Sequence, residues 1–109
     1  MTKYADDCAI LIHGEMEEGI KNYGLFASPH EGLAIIMEEV EEAREAMTDT
    51  EEFFQHMKDC VYADDVKYAA WNAGKLRKKA MNLMIEAMQV AAMAEKFVKT
   101  FGEGRKDEG

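Results

Sequence analysis

The sequence has few of the features on which membrane, secreted and disulfide-linked proteins depend. It contains one proline and two cysteines in 109 residues, and it has no long uncharged apolar run. A transmembrane helix needs about 20 consecutive apolar residues, so we expect no membrane span. No basic segment followed by an apolar one stands at the start, which argues against a secretory signal and makes the cytoplasm the expected location.

The two cysteines do not form a recognisable site. Cys8 and Cys60 make neither a CxxC motif nor a zinc pattern with the three histidines. In a chain without secretory features, cysteines are more often buried thiols than disulfide partners. We therefore expect both to be buried and reduced.

Positive charge is also scarce. Thirteen Lys and Arg residues stand against 22 Asp and Glu residues, for a formal net charge of −9. This balance argues against a nucleic-acid backbone or an anionic membrane as partner. A small phosphorylated ligand remains compatible, because bound metal ions can reverse the local sign of the charge. The chain contains no P-loop, GxSxG or Rossmann glycine pattern.

The residues that are abundant favour helix. Hydrophobic residues make up 48% of the chain and nine are methionine. Apolar spacing and capping signals predict a single all-α domain over residues 1–101 and a disordered tail over residues 102–109. We expect about four helices, over residues 5–23, 29–47, 51–62 and 65–100.

The second predicted helix carries a row of carboxylates. Ser28-Pro29-His30-Glu31 forms a capping box that starts it. Within it, Glu39 and Glu42 lie three residues apart, and their row borders the apolar face. Two carboxylates with this spacing point the same way and can share a divalent cation. The alternative is a solvated glutamate run, as in most acidic helices.

The last predicted helix is apolar nearly all round over residues 80–94, so we expect a partner subunit to cover it. Its polar residues Asn82, Glu86 and Gln89 form a single stripe, which is either an exposed edge or part of a site. The basic cluster at 75–79 either holds phosphate oxygens or keeps the helix soluble.

This combination resembles the MazG-like all-α nucleoside triphosphate pyrophosphohydrolases. Glu38-Glu39-Val40-Glu41-Glu42 matches their E-E-x-x-E motif, and the run from Glu86 to Ala94 is similar to their later E-x-x-D helix. Lys21-Asn22-Tyr23-Gly24, followed by the capping box, is similar to the lead-in of small phage and bacterial members. The resemblance covers residues 17–47 and 81–98, whereas residues 48–80 match nothing that we can name.

The resemblance implies a helical bundle completed by oligomerisation, as a homodimer or a dimer of dimers. It implies Mg²⁺, or Mn²⁺ in its place, bound by Glu39, Glu42 and Glu86. It also implies cleavage of a nucleoside triphosphate between the α- and β-phosphates, with Glu38 as an outer carboxylate that orients the attacking water.

The same resemblance suggests where a nucleotide would bind. Tyr23 or Phe26 would stack on the base, or else plug the end of the core. Lys75 or Lys78 would contact phosphates. Gln89 would face the substrate from the position where the family has aspartate.

Gln89 is the departure from the family pattern. An amide oxygen can coordinate Mg²⁺, but it is neutral and cannot act as a base. The alternative to an enzyme is therefore a degenerate, non-catalytic helical dimer that binds a nucleotide or a protein partner.

Overall fold

The computed structural model describes residues 2–102, and over this range all regular secondary structure is helical. Three α-helices follow one another: α1 (Thr2–Tyr23), α2 (Pro29–Tyr62) and α3 (Val66–Phe97). A π-helical turn, Val98–Gly102, follows α3. The all-α prediction is confirmed. Most of the predicted tail, residues 103–109, lies outside the described range.

Local signals place the first helix boundaries where the sequence predicts them. Gly24 has a positive φ of 77° and donates its N–H to the Ile20 carbonyl at 2.7 Å, which ends α1. At the start of α2, the Ser28 hydroxyl accepts the Glu31 N–H at 3.1 Å. The Glu31 carboxylate accepts the Ala27 N–H at 3.2 Å. The Ser28 cap is therefore present as predicted, whereas the Glu31 carboxylate accepts from Ala27, the residue before the cap, and not from Ser28 as in a reciprocal capping box.

Helix α2 continues through the point where the sequence predicts a new N-cap. The Thr48 hydroxyl donates to the Arg44 carbonyl at 3.1 Å, and the Thr50 hydroxyl donates to the Ala46 carbonyl at 2.8 Å. Threonine side chains that bond to the preceding turn are accommodated inside a helix and cap nothing. The second and third predicted helices are consequently one helix, and the described chain has three α-helices instead of four.

A three-residue turn joins α2 to α3. Asp64 adopts a positive φ of 58°, which a short polar side chain tolerates. The Asp65 carboxylate then accepts the Tyr68 N–H at 3.1 Å as the cap of α3. Gly74 lies inside α3 without interrupting it.

Residue contacts group the chain into two compact units. The first unit contains residues up to Val40 and residues from Ala87 onward. Met16, Phe26 and Ala92 are buried in it. The ring of Phe97 lies 6.3 Å from that of Phe26 and 4.8 Å from that of Phe101. Aromatic packing thus closes one end of this unit.

The second unit comprises Glu41–Glu86. Its buried residues are Ala46, Ala69 and Asn72. The Asn72 amide donates to the Tyr68 carbonyl at 3.0 Å and lies 3.6 Å from the Cys60 sulfur. Buried polar groups need such partners, so Asn72 is satisfied within the hairpin.

Both cysteines are free thiols, as expected. The expected burial is wrong for Cys8, which is exposed, while Cys60 is partly buried. Cys8 lies on α1 among residues that the rest of its unit leaves uncovered. No helix within residues 2–102 is long and apolar enough to cross a membrane.

The glycines of α2 and α3 provide a test of this packing. A Cβ on Gly32 would lie 2.7 Å from Cδ2 of Phe97 and 3.0 Å from Cδ2 of Phe26, whereas a Cβ on Gly74 would meet nothing within 4 Å. We expect Gly32→Ala to destabilise the fold by about 1–3 kcal/mol through overpacking. Gly74→Ala should stabilise it by up to about 1 kcal/mol through helix propensity. Urea unfolding of the two variants checks this pair. Equal effects of the two substitutions would contradict the packing around Gly32.

Candidate active site

The paired carboxylates of α2 are positioned by helix geometry alone. Glu39 and Glu42 lie three residues apart on an unbroken helix, so their side chains point the same way around it. Glu39 is partly buried and Glu42 is exposed. The row predicted from the sequence is therefore present as a pair of oxygen ligands on one face of α2.

Within the second unit, Glu42 also meets Glu86 of α3. Oxygens of the two carboxyl groups lie within 4.8 Å of each other. Partial burial raises the pKa of Glu86, and the charge of Glu42 and a hydrogen bond with Glu42 raise it further. Two carboxylates this close repel when both are ionised, which adds to the rise in the pKa of Glu86.

The donor set fits a hard divalent cation. Carboxylate oxygens are the ligands that Mg²⁺ and Mn²⁺ prefer, and Mg²⁺ in proteins commonly takes one or two carboxylates together with substrate phosphates. The charge on Glu42 and Glu86 is left uncompensated by any ion pair among residues 2–102. Glu42 and Glu86 are therefore residues that would hold a divalent cation.

The first unit contains a cleft of about 400 Å³, which is within the size range of small-molecule sites. Three residues predicted from the sequence meet there: Tyr23, Glu39 and Gln89. Tyr23 is 85% exposed, so its ring stands at the solvent side of the cleft. The remaining lining residues are Glu15, Glu18, Gly19, Asn22, Ile35, Met93 and Lys96.

Lys96 is a positively charged lining residue that the sequence analysis did not assign to the site. It is only 5% exposed, and its ammonium lies 4.3 Å from the centre of the Phe26 ring. The sequence does carry a signal for Lys96, because helical spacing places it on the same face of α3 as Glu86, Gln89 and Met93. Extending the polar stripe by two more turns would have found it.

The other predicted residues lie elsewhere. Glu38 is exposed and directly precedes Glu39, so it projects about 100° away around the helix. The Lys75 ammonium lies over the Trp71 ring at 5.1 Å. Lys75 and Lys78 precede Glu86 on α3 by about 16 and 12 Å along the helix axis. Neither lysine lines the cleft.

Comparisons with known proteins add no further information about this arrangement. No protein-family model, curated protein or solved structure matches the chain.

The raised pKa of Glu86 predicts how stability depends on pH without divalent cations. The folded chain keeps a proton on Glu86 to a higher pH than the unfolded chain does, since the pKa of Glu86 is higher in the folded state. The contribution of this group to stability is therefore lost as pH rises from its ordinary pKa through the raised one. Glu86→Gln should flatten this fall and raise the melting temperature at pH 7 in EDTA. Glu45→Gln removes an exposed carboxylate from α2 and controls for net charge. A lower melting temperature for Glu86→Gln than for Glu45→Gln would contradict the repulsion between Glu86 and Glu42.

Proposed function

We propose that this protein is a MazG-like, Mg²⁺-dependent nucleotide pyrophosphohydrolase. It cleaves a ribo- or deoxyribonucleoside triphosphate into the monophosphate and pyrophosphate. The observation that carries the proposal is that carboxyl oxygens of Glu42 and Glu86 lie within 4.8 Å of each other, although the two residues are 44 apart in the sequence. Glu39 lies on the same face of α2 as Glu42. The motif resemblance selects the same three glutamates.

The proposed metal ligands are Glu39, Glu42 and Glu86, with Mn²⁺ able to replace Mg²⁺. The bound ion would lower the pKa of a coordinated water and offset charge on the phosphoryl oxygens. Water adds to the α-phosphorus, the bond to the bridging oxygen breaks, and pyrophosphate leaves with that oxygen. The proton released from water passes to solvent or to a carboxylate, and the proposal assigns this outer role to Glu38.

The cleft of the first unit supports a nucleotide as the ligand. Glu39 lines the cleft, so a nucleotide bound there would lie beside one of the proposed metal-binding carboxylates. Tyr23 offers an exposed aromatic face for stacking on a base. Asn22 and Gln89 provide amide donors and acceptors that could hydrogen-bond to a base or ribose.

Self-association is part of the proposal, as a homodimer or a dimer of dimers. Five hydrophobic residues are buried among the described residues, and three of these five are alanines. On α3, Met81, Met84 and Ile85 are 47%, 71% and 52% exposed and share one face. A neighbouring copy that covers this apolar face would supply burial that one chain lacks.

The first measurement is pyrophosphate release from a panel of nucleoside triphosphates with excess Mg²⁺. We expect release by the parent protein and only background release by Glu39→Gln/Glu42→Gln and by Glu86→Gln, because each variant removes charge from the metal ligands. Glu45→Gln is the matched control on α2 and should keep its activity. Mg²⁺ should also raise the melting temperature of the parent by mass action. Release that persists unchanged in the double variant would refute the assignment of the site.

Gln89 favours one alternative, a dimer that binds the nucleotide without cleaving it. Binding of a triphosphate without release of pyrophosphate, together with activity gained in Gln89→Asp, would establish this alternative. Activity of the parent protein would exclude it.

Light scattering at known concentration tests self-association. We expect a mass of at least two chains for the parent, and a lower mass for Met84→Glu because it places a charge within the apolar face of α3. Gln55→Glu adds the same charge at an exposed polar position of α2 and should leave the mass unchanged. A parent protein that is monomeric at all concentrations would contradict the assembly.

A further inference from the structure

The cleft of the first unit is lined by a buried cation that lies over an aromatic ring. Lys96 is 5% exposed, and its ammonium lies over the ring of Phe26. The ion pairs found within residues 2–102 join His13 to Glu17 and Glu95, and Arg44 to Glu41. None of them involves Lys96. A buried charge is costly unless it is paired, and an aromatic face compensates it only in part.

The position of this ammonium relates it to the proposed chemistry. Lys96 follows Gln89 by two helical turns on α3, and both residues line the cleft together with Glu39. A ligand that occupies the cleft therefore reaches from a proposed metal ligand to a buried positive charge. Lysine is a compact point charge that commonly binds phosphate oxygens.

We infer that Lys96 is the phosphate-binding residue of the nucleotide site, and that its ammonium contacts a phosphoryl oxygen of the substrate and of product pyrophosphate. This inference rests on the proposed function and replaces Lys75 and Lys78 in the role that the sequence suggested for them. A phosphate group would give the Lys96 ammonium an anionic contact in addition to the ring of Phe26.

A structural role for Lys96 makes a different prediction. If Lys96 only balances the acidic lining of the cleft, then its removal exposes Glu15, Glu18 and Glu39 to mutual repulsion and destabilises the fold. If it awaits an anionic ligand, then replacing it by an apolar side chain of similar length removes an incompletely compensated buried charge. The ligand-free protein should then keep or increase its melting temperature.

The test compares melting temperatures with EDTA, with Mg²⁺ alone, and with Mg²⁺ plus inorganic pyrophosphate. The proteins are the parent, Lys96→Met, Lys96→Arg, and the exposed control Lys78→Met. We expect Mg²⁺ alone to stabilise all four proteins, because the carboxylates remain intact. Pyrophosphate should add a further increase in the parent, Lys96→Arg and Lys78→Met. This second increase should be lost in Lys96→Met, with a loss of at least about tenfold in affinity for pyrophosphate, because a charged hydrogen bond to phosphate is removed.

Each other outcome identifies which proposal fails. An equal pyrophosphate shift in Lys96→Met and in the parent would refute the role of Lys96 and leave the proposed function standing. The same follows if Mg²⁺ stabilises the parent but pyrophosphate adds nothing. A parent protein that shows neither a metal shift nor pyrophosphate release would refute the proposed function, and the role of Lys96 with it.

Discussion

The close approach of two like charges, Glu42 and Glu86, is the constraint around which the middle of the chain is built. A folded protein that holds two carboxylates in contact must supply the free energy from packing elsewhere. Here the geometry comes from long helices that run without a break through the residues concerned. Neither glycine nor proline interrupts α2 between Gly32 and Tyr62. A hinge near Glu42 would let the carboxylates separate, so the continuity of α2 is itself a requirement of the site.

The internal core of the described residues is small. Its buried apolar residues are Met16 and Phe26 together with three alanines. Large apolar side chains such as Met84 and Ile85 remain on the surface of α3. Since burial of apolar surface is the main source of stability, the proposed self-association would add burial that these side chains lack in one chain.

The sequence predicts those features that depend on neighbours within one or two turns. The cap at Ser28, the end of α1 at Gly24, and the alignment of Glu39 with Glu42 all follow from local rules. The break at Thr48 was wrong for an equally local reason. A threonine hydroxyl can cap a new helix or bond to the preceding turn, and both uses have the same sequence signature.

The features that the sequence could not predict depend on distant residues. Lys96 stands in a run of lysines and aromatics that is typical of a solvated helix end. It is buried because Phe26, from the loop before α2, lies against its ammonium. Lys75 similarly lies over Trp71, which a count of positive charges along the chain does not reveal. The meeting of Glu86 with Glu42 required the same kind of tertiary information, and only the family resemblance anticipated it.

The charges around the cleft give a physical reason for glutamine at position 89. Glu15, Glu18 and Glu39 line the cleft with Lys96, so three carboxylates face one ammonium. An aspartate at position 89 would add a fourth negative charge where the proposed polyphosphate substrate, itself strongly anionic, would enter. A neutral amide keeps a hydrogen-bonding group at this position without adding to the repulsion. In the proposed site, Lys96 and Gln89 would therefore reduce the same electrostatic cost of binding phosphate, one by adding positive charge and the other by omitting negative charge.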